Sequence, residues 1–378
     1  MKLDTVAVWN DLHKTPELGF QEFKTSAYIA AALEKMGYAV TRGIAGTGVL
    51  AVKKGTEPGP VMLLRADMDA LPFKDEAGNP ICLHACGHDG HCAMLLTAAA
   101  ELFDKVKKGT LKIFFQPAEE TLKGAVESYK SGIFDDVEIA LGLHIRPVQD
   151  LKAGDMCAAV RHTSSSVVCI RIKGRGAHAS RPHLGVNCAE AAALVTNAVC
   201  AIKLDPTKTW SVKVTGINAM ASAHNIIPDH AEVWLDCRAQ TNPLMTELQA
   251  KLKDAGIYAA KAVGAEAEID CQGILPAAEY DDELTAQVAE EIKKVVGKEH
   301  LDKDCGGGGE DFHFYKQMKP ELRCAYFGVG VGCEPGLHDR NMHFDPKYLV
   351  NLKTVESTLS QIRRRRARGT SGLWPSSP

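Results

Sequence analysis

The sequence of 378 residues predicts an α/β protein: a mostly parallel sheet domain into which a smaller α+β layer is inserted. Three observations carry this. Strand and helix patterns alternate through the first third of the chain, the signature of a parallel sheet. From Ser164 the texture changes to strand, helix, strand, strand, helix, which suggests an antiparallel sheet with helices. Near Ala277 the alternating texture returns. At roughly 150 residues per domain the length supports two cores. The expected divisions are 1–163 and 276–362 for the larger domain, 164–275 for the insertion and 363–378 for a tail.

Taken in order, Thr25 to Met36 carries apolar residues at helical spacing and Gly37 stops it. Gly48 to Val52 and Val61 to Arg65 read as strands, the second delivering Asp67 and Asp69. Ala93 to Phe103 is a helix. Leu111 to Phe115 is a strand that runs into Gln116-Pro117-Ala118-Glu119-Glu120, and Ile139 to Leu143 is a strand ending at His144. In the insertion, Val167 to Ile172, Trp210 to Val214 and Ala231 to Cys237 are strands. Asn187 to Ala201 and a segment starting at Pro243 are helices. Asp281 to Val296 is then a helix, Cys324 to Val329 a strand, and a last helix starts at Tyr348. The tail, with Arg363 to Arg366 adjacent, cannot build a core and is expected to be solvated or appended.

Composition narrows the function classes. With 44 Lys+Arg against 47 Asp+Glu the net charge is −3, without the clustered positive field that nucleic acid or a membrane surface requires. No apolar run approaches the roughly 18 residues of a membrane helix. The segment Met1-Lys2-Leu3-Asp4 leads into polar residues rather than a secretory stretch. Twelve cysteines are scattered without framework spacing, several inside apolar runs, as in a reducing compartment. A cytoplasmic protein is expected. No Cys-x-x-Cys occurs (Cys82 and Cys86 are one residue too far apart), so redox chemistry of that kind is not expected.

The densest chemical signal is His84-Ala85-Cys86-Gly87-His88-Asp89-Gly90-His91. Imidazole and thiolate are the main ligands for divalent transition metals, and the two glycines let the backbone aim neighbouring side chains at one point. A polar loop whose histidines cap the next helix is the alternative. Glu119 and Glu120 follow a buried strand. On an extended chain they point to opposite sides, so one can hold a metal while the other acts as general base. His144 ends an apolar strand, and His338 follows the last one in Gly336-Leu337-His338. Each alone reads more often as a satisfied core histidine than as a ligand. Their convergence on the carboxyl-end rim of one sheet, where ligands gather in such folds, makes them candidates together.

These segments identify a resemblance. Arg65-Ala-Asp-Met-Asp-Ala-Leu-Pro72, Cys86-Gly-His-Asp-Gly-His91, Gln116-Pro-Ala-Glu-Glu120, Gly142-Leu-His144, Gly174-Arg-Gly-Ala-His-Ala179, Asn225-Ile-Ile-Pro228, Gly309-Glu-Asp-Phe312 and Gly336-Leu-His338 run in the order of the M20 metallopeptidases. The branch resembled contains N-acyl-amino-acid amidohydrolases, aminobenzoyl-glutamate hydrolases and auxin-conjugate hydrolases. The resemblance spans residue 11 to about 362. It implies that Cys86, His88, Glu120, His144 and His338 hold two divalent metals, zinc or manganese by ligand softness. A thiolate has lone pairs for two ions, so Cys86 is expected to bridge. Glu119 is the implied base. Asp69 is expected to hydrogen-bond a ligand histidine.

In the insertion, the resemblance assigns His178 to steady the oxyanion in a neighbouring subunit. It assigns Asn225 and Arg238 to the substrate carboxylate, which implies a homodimer through this domain; His183 and His224 are weaker substitutes. His343 competes with His338, which has the matching setting. Cys92 and Gly308 depart from the serine or threonine that many members carry. The run Gly306 to Gly309 lacks the Lys-Ser/Thr of a phosphate loop and reads as a flexible turn. The expected activity is hydrolysis of the amide of N-acyl or N-aroyl amino acids. Dipeptide or carboxypeptide cleavage at the same site is the alternative, and an inactive scaffold would lack a ligand or base, none of which is missing.

Overall fold

The computed structural model describes residues 2–350. They form two compact units. The first comprises the chain up to Arg161, Glu279–Gly306 and the chain from Glu310 onward; the second comprises His162–Ala278 with Gly307–Gly309.

In the first unit, helices α1 (Thr5–His13) and α2 (Phe23–Met36) precede strands β1 (Ala39–Ile44), β2 (Gly48–Lys54) and β3 (Glu57–Asp67). Asp4 caps α1 by accepting the Val6 amide at 2.9 Å, and Gly37, at φ 94°, ends α2 in the left-handed conformation. Helix α3 (His88–Leu102) leads to β4 (Lys108–Gln116) and β5 (Ile139–Pro147), then to the short β6 (Met156–Cys157). After the second unit come α6 (Asp282–Val296), β11 (Leu301–Asp302) and β12 (Arg323–Cys333), numbered after the elements of the second unit given below. The eight strands order as β1-β2-β4-β3-β5-β12-β6-β11. The central four, β4-β3-β5-β12, are all parallel, while β1, β2 and the β12–β6 pairing are antiparallel.

Both faces of this sheet are covered, which is why its central strands read as continuous apolar runs. Met62, Leu64, Ile113, Phe115, Leu141 and Leu143 pack on one side with Leu95 and Leu96 of α3, and Leu63, Phe114 and Ala140 pack on the other with Phe134, Tyr315 and Tyr326. The alternation is the period-2 geometry of a strand applied to residues that are all apolar.

The second unit contains β7 (Ser164–Lys173), α4 (Cys188–Cys200), β8 (Trp210–Asn218), β9 (His230–Ala239), α5 (Asn242–Ala262) and β10 (Glu266–Leu275). Its sheet, ordered β8-β9-β7-β10, is antiparallel throughout. Val168, Ile170, Val233 and Leu235 face Val195 of α4 and Leu248 and Leu252 of α5 in a separate core.

Five features differ from the expectations. Helix α3 begins at His88, not Ala93, so His88 and His91 are helical; Gly87, at φ 86°, supplies the turn, and a Cβ there would lie 2.2 Å from Ile145. Strand β5 continues through His144 to Pro147. Glu119–Thr121 is a 3₁₀ turn rather than extended chain, because Ala118 adopts the left-handed conformation. Strand β10, with a mixed and largely exposed pattern, has no apolar alternation to announce it. The expected helix from Tyr348 is a 3₁₀ turn over Pro346–Val350 as far as it is described, and its continuation and the tail 363–378 lie outside the described residues. Among the described residues no helix is long and apolar enough to cross a membrane.

Candidate metal centre

Strand β3 ends in Asp67, and Met68 and Asp69 follow it into the rim of the sheet. Asp67 Oδ1 is hydrogen-bonded to His91 Nδ1 at 2.6 Å, and His91 Nε2 accepts the Ile145 amide at 2.9 Å. His91 is thus spent on tying α3 to β5. His88, one turn earlier, lies on the same side: its Nδ1 is 3.3 Å from Asp69 Oδ1, and its Nε2 is 3.8 Å from Asp67 and 3.9 Å from Glu120. Asp69 also accepts the amides of Glu119 and Glu120, each at 3.0 Å, so one buried carboxylate fixes the Glu119–Glu120 turn beside His88.

Cys86 belongs to two donor sets. Its Sγ groups with His88 and His144, and separately with Glu120 and His338, the ligand atoms of each set lying within 4.8 Å of one another. Cys86 Sγ is 3.4 Å from His144 Nε2, and His338 Nε2 is 3.3 Å from Glu120 Oε1. The ring of His144 is fixed by a hydrogen bond between its Nδ1 and the Ile145 carbonyl, which leaves Nε2 toward Cys86. His338 is exposed and held at φ 65°, with its amide donating to the Ala85 carbonyl at 2.7 Å. His343, exposed and hydrogen-bonded to the Asn341 carbonyl, joins none of these sets.

Glu119 is buried beside two carboxyl groups that sequence reasoning did not assign, Glu310 and Asp311. The Asp311 amide donates to Glu119 Oε1 at 3.3 Å, and the three carboxyl groups form one cluster. Arg65, fully buried, closes this cluster from below. It reaches Asp67 at 2.7 Å, Glu310 at 3.0 Å, Asp311 at 2.8 Å and Gln116 at 2.9 Å, while Gln116 and Tyr326 bind Asp311 and Glu310. The signal for these residues was the string Gly309-Glu310-Asp311-Phe312; what was not legible was that it returns to the base. The adjoining glycines are conformational requirements, since Gly307 and Gly308 stand at φ 94° and 75°. Cys92, the other departure, donates its thiol to the Asp67 carbonyl at 3.0 Å.

The protonation tendencies follow from burial and charge. Burial, then the Glu310, Asp311 and Glu120 carboxylates, push Glu119 well above the usual carboxylate range. Burial works the same way on Glu120, but His338 and His88 outweigh it and hold it low. Burial alone would lower His88; Asp67 and Cys86 raise it well above the ordinary imidazole value.

Both ring nitrogens of His88 and Oε1 of Glu120 are buried without a hydrogen-bond partner of good geometry. Orphaned buried donors and acceptors of this kind are destabilising unless something else satisfies them. Here they face a thiol and further carboxylates, so a divalent cation fits the donor set, whose sulfur, nitrogen and oxygen atoms suit a borderline transition metal.

The remaining candidates lie in the second unit and are solvent-facing. His178 Nδ1 is 2.8 Å from the Ser180 hydroxyl, and the Asn225 carbonyl accepts the Ala179 amide at 2.9 Å. Arg238 is half-exposed, its Nε and NH2 donating to the two oxygens of Asp236 at 2.9 Å each. His183 and His224 are exposed.

Comparison with known proteins comes to the same chemistry. The sequence profile described as peptidase family M20/M25/M40 matches residues 63–361. A hippurate hydrolase of Campylobacter jejuni is 32% identical over 93% of this chain and 94% of its own length. An N-acetyldiaminopimelate deacetylase of Streptococcus pneumoniae is 30% identical over 97% of this chain and all of its own length. Among solved structures, the YXEP protein of Bacillus subtilis, described as a dinuclear metal binding peptidase of the M20 family, has a TM-score of 0.80. It is 25% identical, with 95% of this chain and 98% of that one covered.

Proposed function

The chain belongs to peptidase family M20/M25/M40 and is an amide-bond hydrolase; from that premise we propose that it cleaves the amide of an N-acyl or N-aroyl amino acid at a two-metal centre, releasing the amino acid and an acid. The observation that carries this reading is the pair of donor sets that share Cys86, with Glu119 buried beside them. The two relatives support it, since hippurate and N-acetyldiaminopimelate are both N-acyl amino acids.

In this reading Cys86, His88, Glu120, His144 and His338 would hold the two ions, Cys86 belonging to both donor sets. Zinc and manganese suit such donors. Bound there, such ions would supply Lewis acidity, lowering the pKa of a water and polarising the scissile carbonyl. Glu119 takes the proton of the attacking water and delivers it to the leaving nitrogen. The Asp311 amide fixes the Glu119 carboxyl through Oε1, and Asp69 keeps base and ligand in one frame. His178 donates to the developing oxyanion, from the second unit of a neighbouring subunit in a homodimer. Asn225 and Arg238 take the substrate carboxylate; the Asp236 pair occupies Nε and NH2 of Arg238, and the guanidinium has further donors on NH1. The twelve cysteines, all unpaired, suit a cytoplasmic setting.

The test is a hydrolysis panel on protein whose metal content is measured in the same preparation. N-benzoylglycine and N-acetyl amino acids are expected to turn over, with two ions bound per chain. Turnover of dipeptides alone would move the reading to a peptidase, and full activity after exhaustive chelation would remove the metals from it.

A further inference from the structure

The turn that carries Glu119 and Glu120 is held from behind by a residue with no part in the chemistry above. Ala118 stands in the left-handed region at φ 58° and ψ 39°, a conformation that an L side chain disfavours. Residues 118, 119 and 120 each donate their amide to a buried carboxyl group. Glu119 and Glu120 use Asp69, whereas Ala118 donates to Glu22 Oε1 at 2.8 Å. The other oxygen of Glu22 accepts the Thr47 hydroxyl, and the residue is fully buried.

Glu22 occupies the N-cap position of α2 and yet does no capping with its side chain. That task falls to Glu17, whose carboxyl accepts the amides of Lys24 and Thr25 at 2.9 Å each. A carboxyl group is expensive to bury and is not needed by its own helix. Its partners instead are the residue before the base and a threonine that keeps it oriented.

We propose that Glu22 is a positioning residue whose carboxyl pins Ala118 in the left-handed conformation and thereby aims Glu119 and Glu120 at the metal centre. The inference rests on the two-metal reading of that centre. Its test compares Glu22→Met, which fills the volume without an acceptor, with Glu22→Gln, which keeps an oxygen for the Ala118 amide. Amide exchange of the peptide spanning 118–120 and Mn²⁺ affinity are measured without substrate, followed by kcat and KM.

In Glu22→Met, exchange at these amides is expected to rise and Mn²⁺ affinity to fall about tenfold, as for other residues that orient ligands. kcat is expected to fall by about a hundredfold from misplacement of the base, with KM little changed. Glu22→Gln restores all three to within a few-fold. Placing Ala118→Gly in the Met background recovers part of the loss, because glycine enters the left-handed region without help.

A folded Glu22→Met protein with native exchange and native Mn²⁺ affinity would overturn the proposal. So would a Gln variant as impaired as the Met variant. If Glu22→Met does not fold, Thr47→Val, which withdraws only the orienting hydroxyl, is expected to move exchange and Mn²⁺ affinity in the same direction by a few-fold, and no movement would overturn the proposal. Because exchange and ion affinity need no substrate, a native protein that ignores N-acyl amino acids would remove the proposed activity while leaving the role of Glu22 to be judged on these readings.

Discussion

In the first unit, Cys86, His88, Asp69 and Glu119 are buried, and Asp69 and Glu119 are held by hydrogen bonds to other buried groups. In the second, His178 and Asn225 are exposed and Arg238 is half-exposed; the side chains of His178 and Arg238 bond to neighbours two residues away in sequence. The first arrangement is preorganised: Arg65 reaches both Asp67, which supports His91, and Asp311, whose amide holds Glu119. Charge placed this way needs no rearrangement when a reaction begins, the condition under which electrostatic stabilisation is largest. The second arrangement is a set of solvent-facing donors, Arg238 on strand β9 and His178 and Asn225 outside the four-stranded sheet, able to exchange an intramolecular partner for a ligand. On the proposed roles this is a division of labour: the buried cluster would hold the ions and the base, and the exposed residues would supply the oxyanion donor, His178, and the contacts to the substrate carboxylate, Asn225 and Arg238.

The largest effect that would sharpen this contrast is expected from Glu119→Gln. Loss of a general base lowers kcat by about a thousandfold, while bound metal, measured on the same protein, stays at the native level because Glu119 is not a ligand in the proposed set. Retained turnover would move the chemistry away from the buried cluster. A smaller effect is expected from Arg238→Met. Losing a charged hydrogen bond to the substrate raises KM by about tenfold or more with kcat nearly kept. The unfolding midpoint should stay close to native, since the Arg238–Asp236 pair is half-exposed and solvent-screened. A drop in kcat with KM unchanged would place Arg238 with the catalytic residues and break the comparison.

The smallest effect concerns stability rather than rate. Burial lowers the imidazole of His313, in the first unit, from 6.5 to about 4. The folded protein therefore keeps His313 neutral while the unfolded chain protonates it. The sign follows: nothing is lost above pH 6.5, and stability declines as pH falls from 6.5 toward 4, by about 1 kcal/mol over the first pH unit. Denaturant midpoints at pH 7 and 5.5 check this, and the part of the decline due to this residue is expected to vanish in His313→Leu.

Much of the fold was legible because its signals are local. The apolar runs of β3, β4 and β5 and the helical spacing of α2 and α6 sit within single windows of sequence, as does the Asp281 cap of α6, whose side chain accepts the Leu284 amide. Strand β10 was not, because a largely exposed strand has no burial to impose alternation. The crowding from His84 to His91 announced a metal centre in the same local way, whereas His144 and His338 became candidates only through convergence and family resemblance. The Glu119–Glu120 turn was misread as extended, since the left-handed backbone of Ala118 is enforced by Glu22, a partner 96 residues away. Glu310 and Asp311 escaped assignment for the same reason. The hydrogen bond from Asp311 to Glu119 spans 192 residues and exists only once the sheet is assembled.

The central claim is that one thiolate joins two metal positions. Anomalous diffraction from crystals loaded with Mn²⁺ tests it most directly. Two peaks about 3.5–4 Å apart, both in contact with Cys86 Sγ and sharing His88, His144, Glu120 and His338 between them, are the expected result. A single ion, or two ions of which neither touches Cys86, would contradict it.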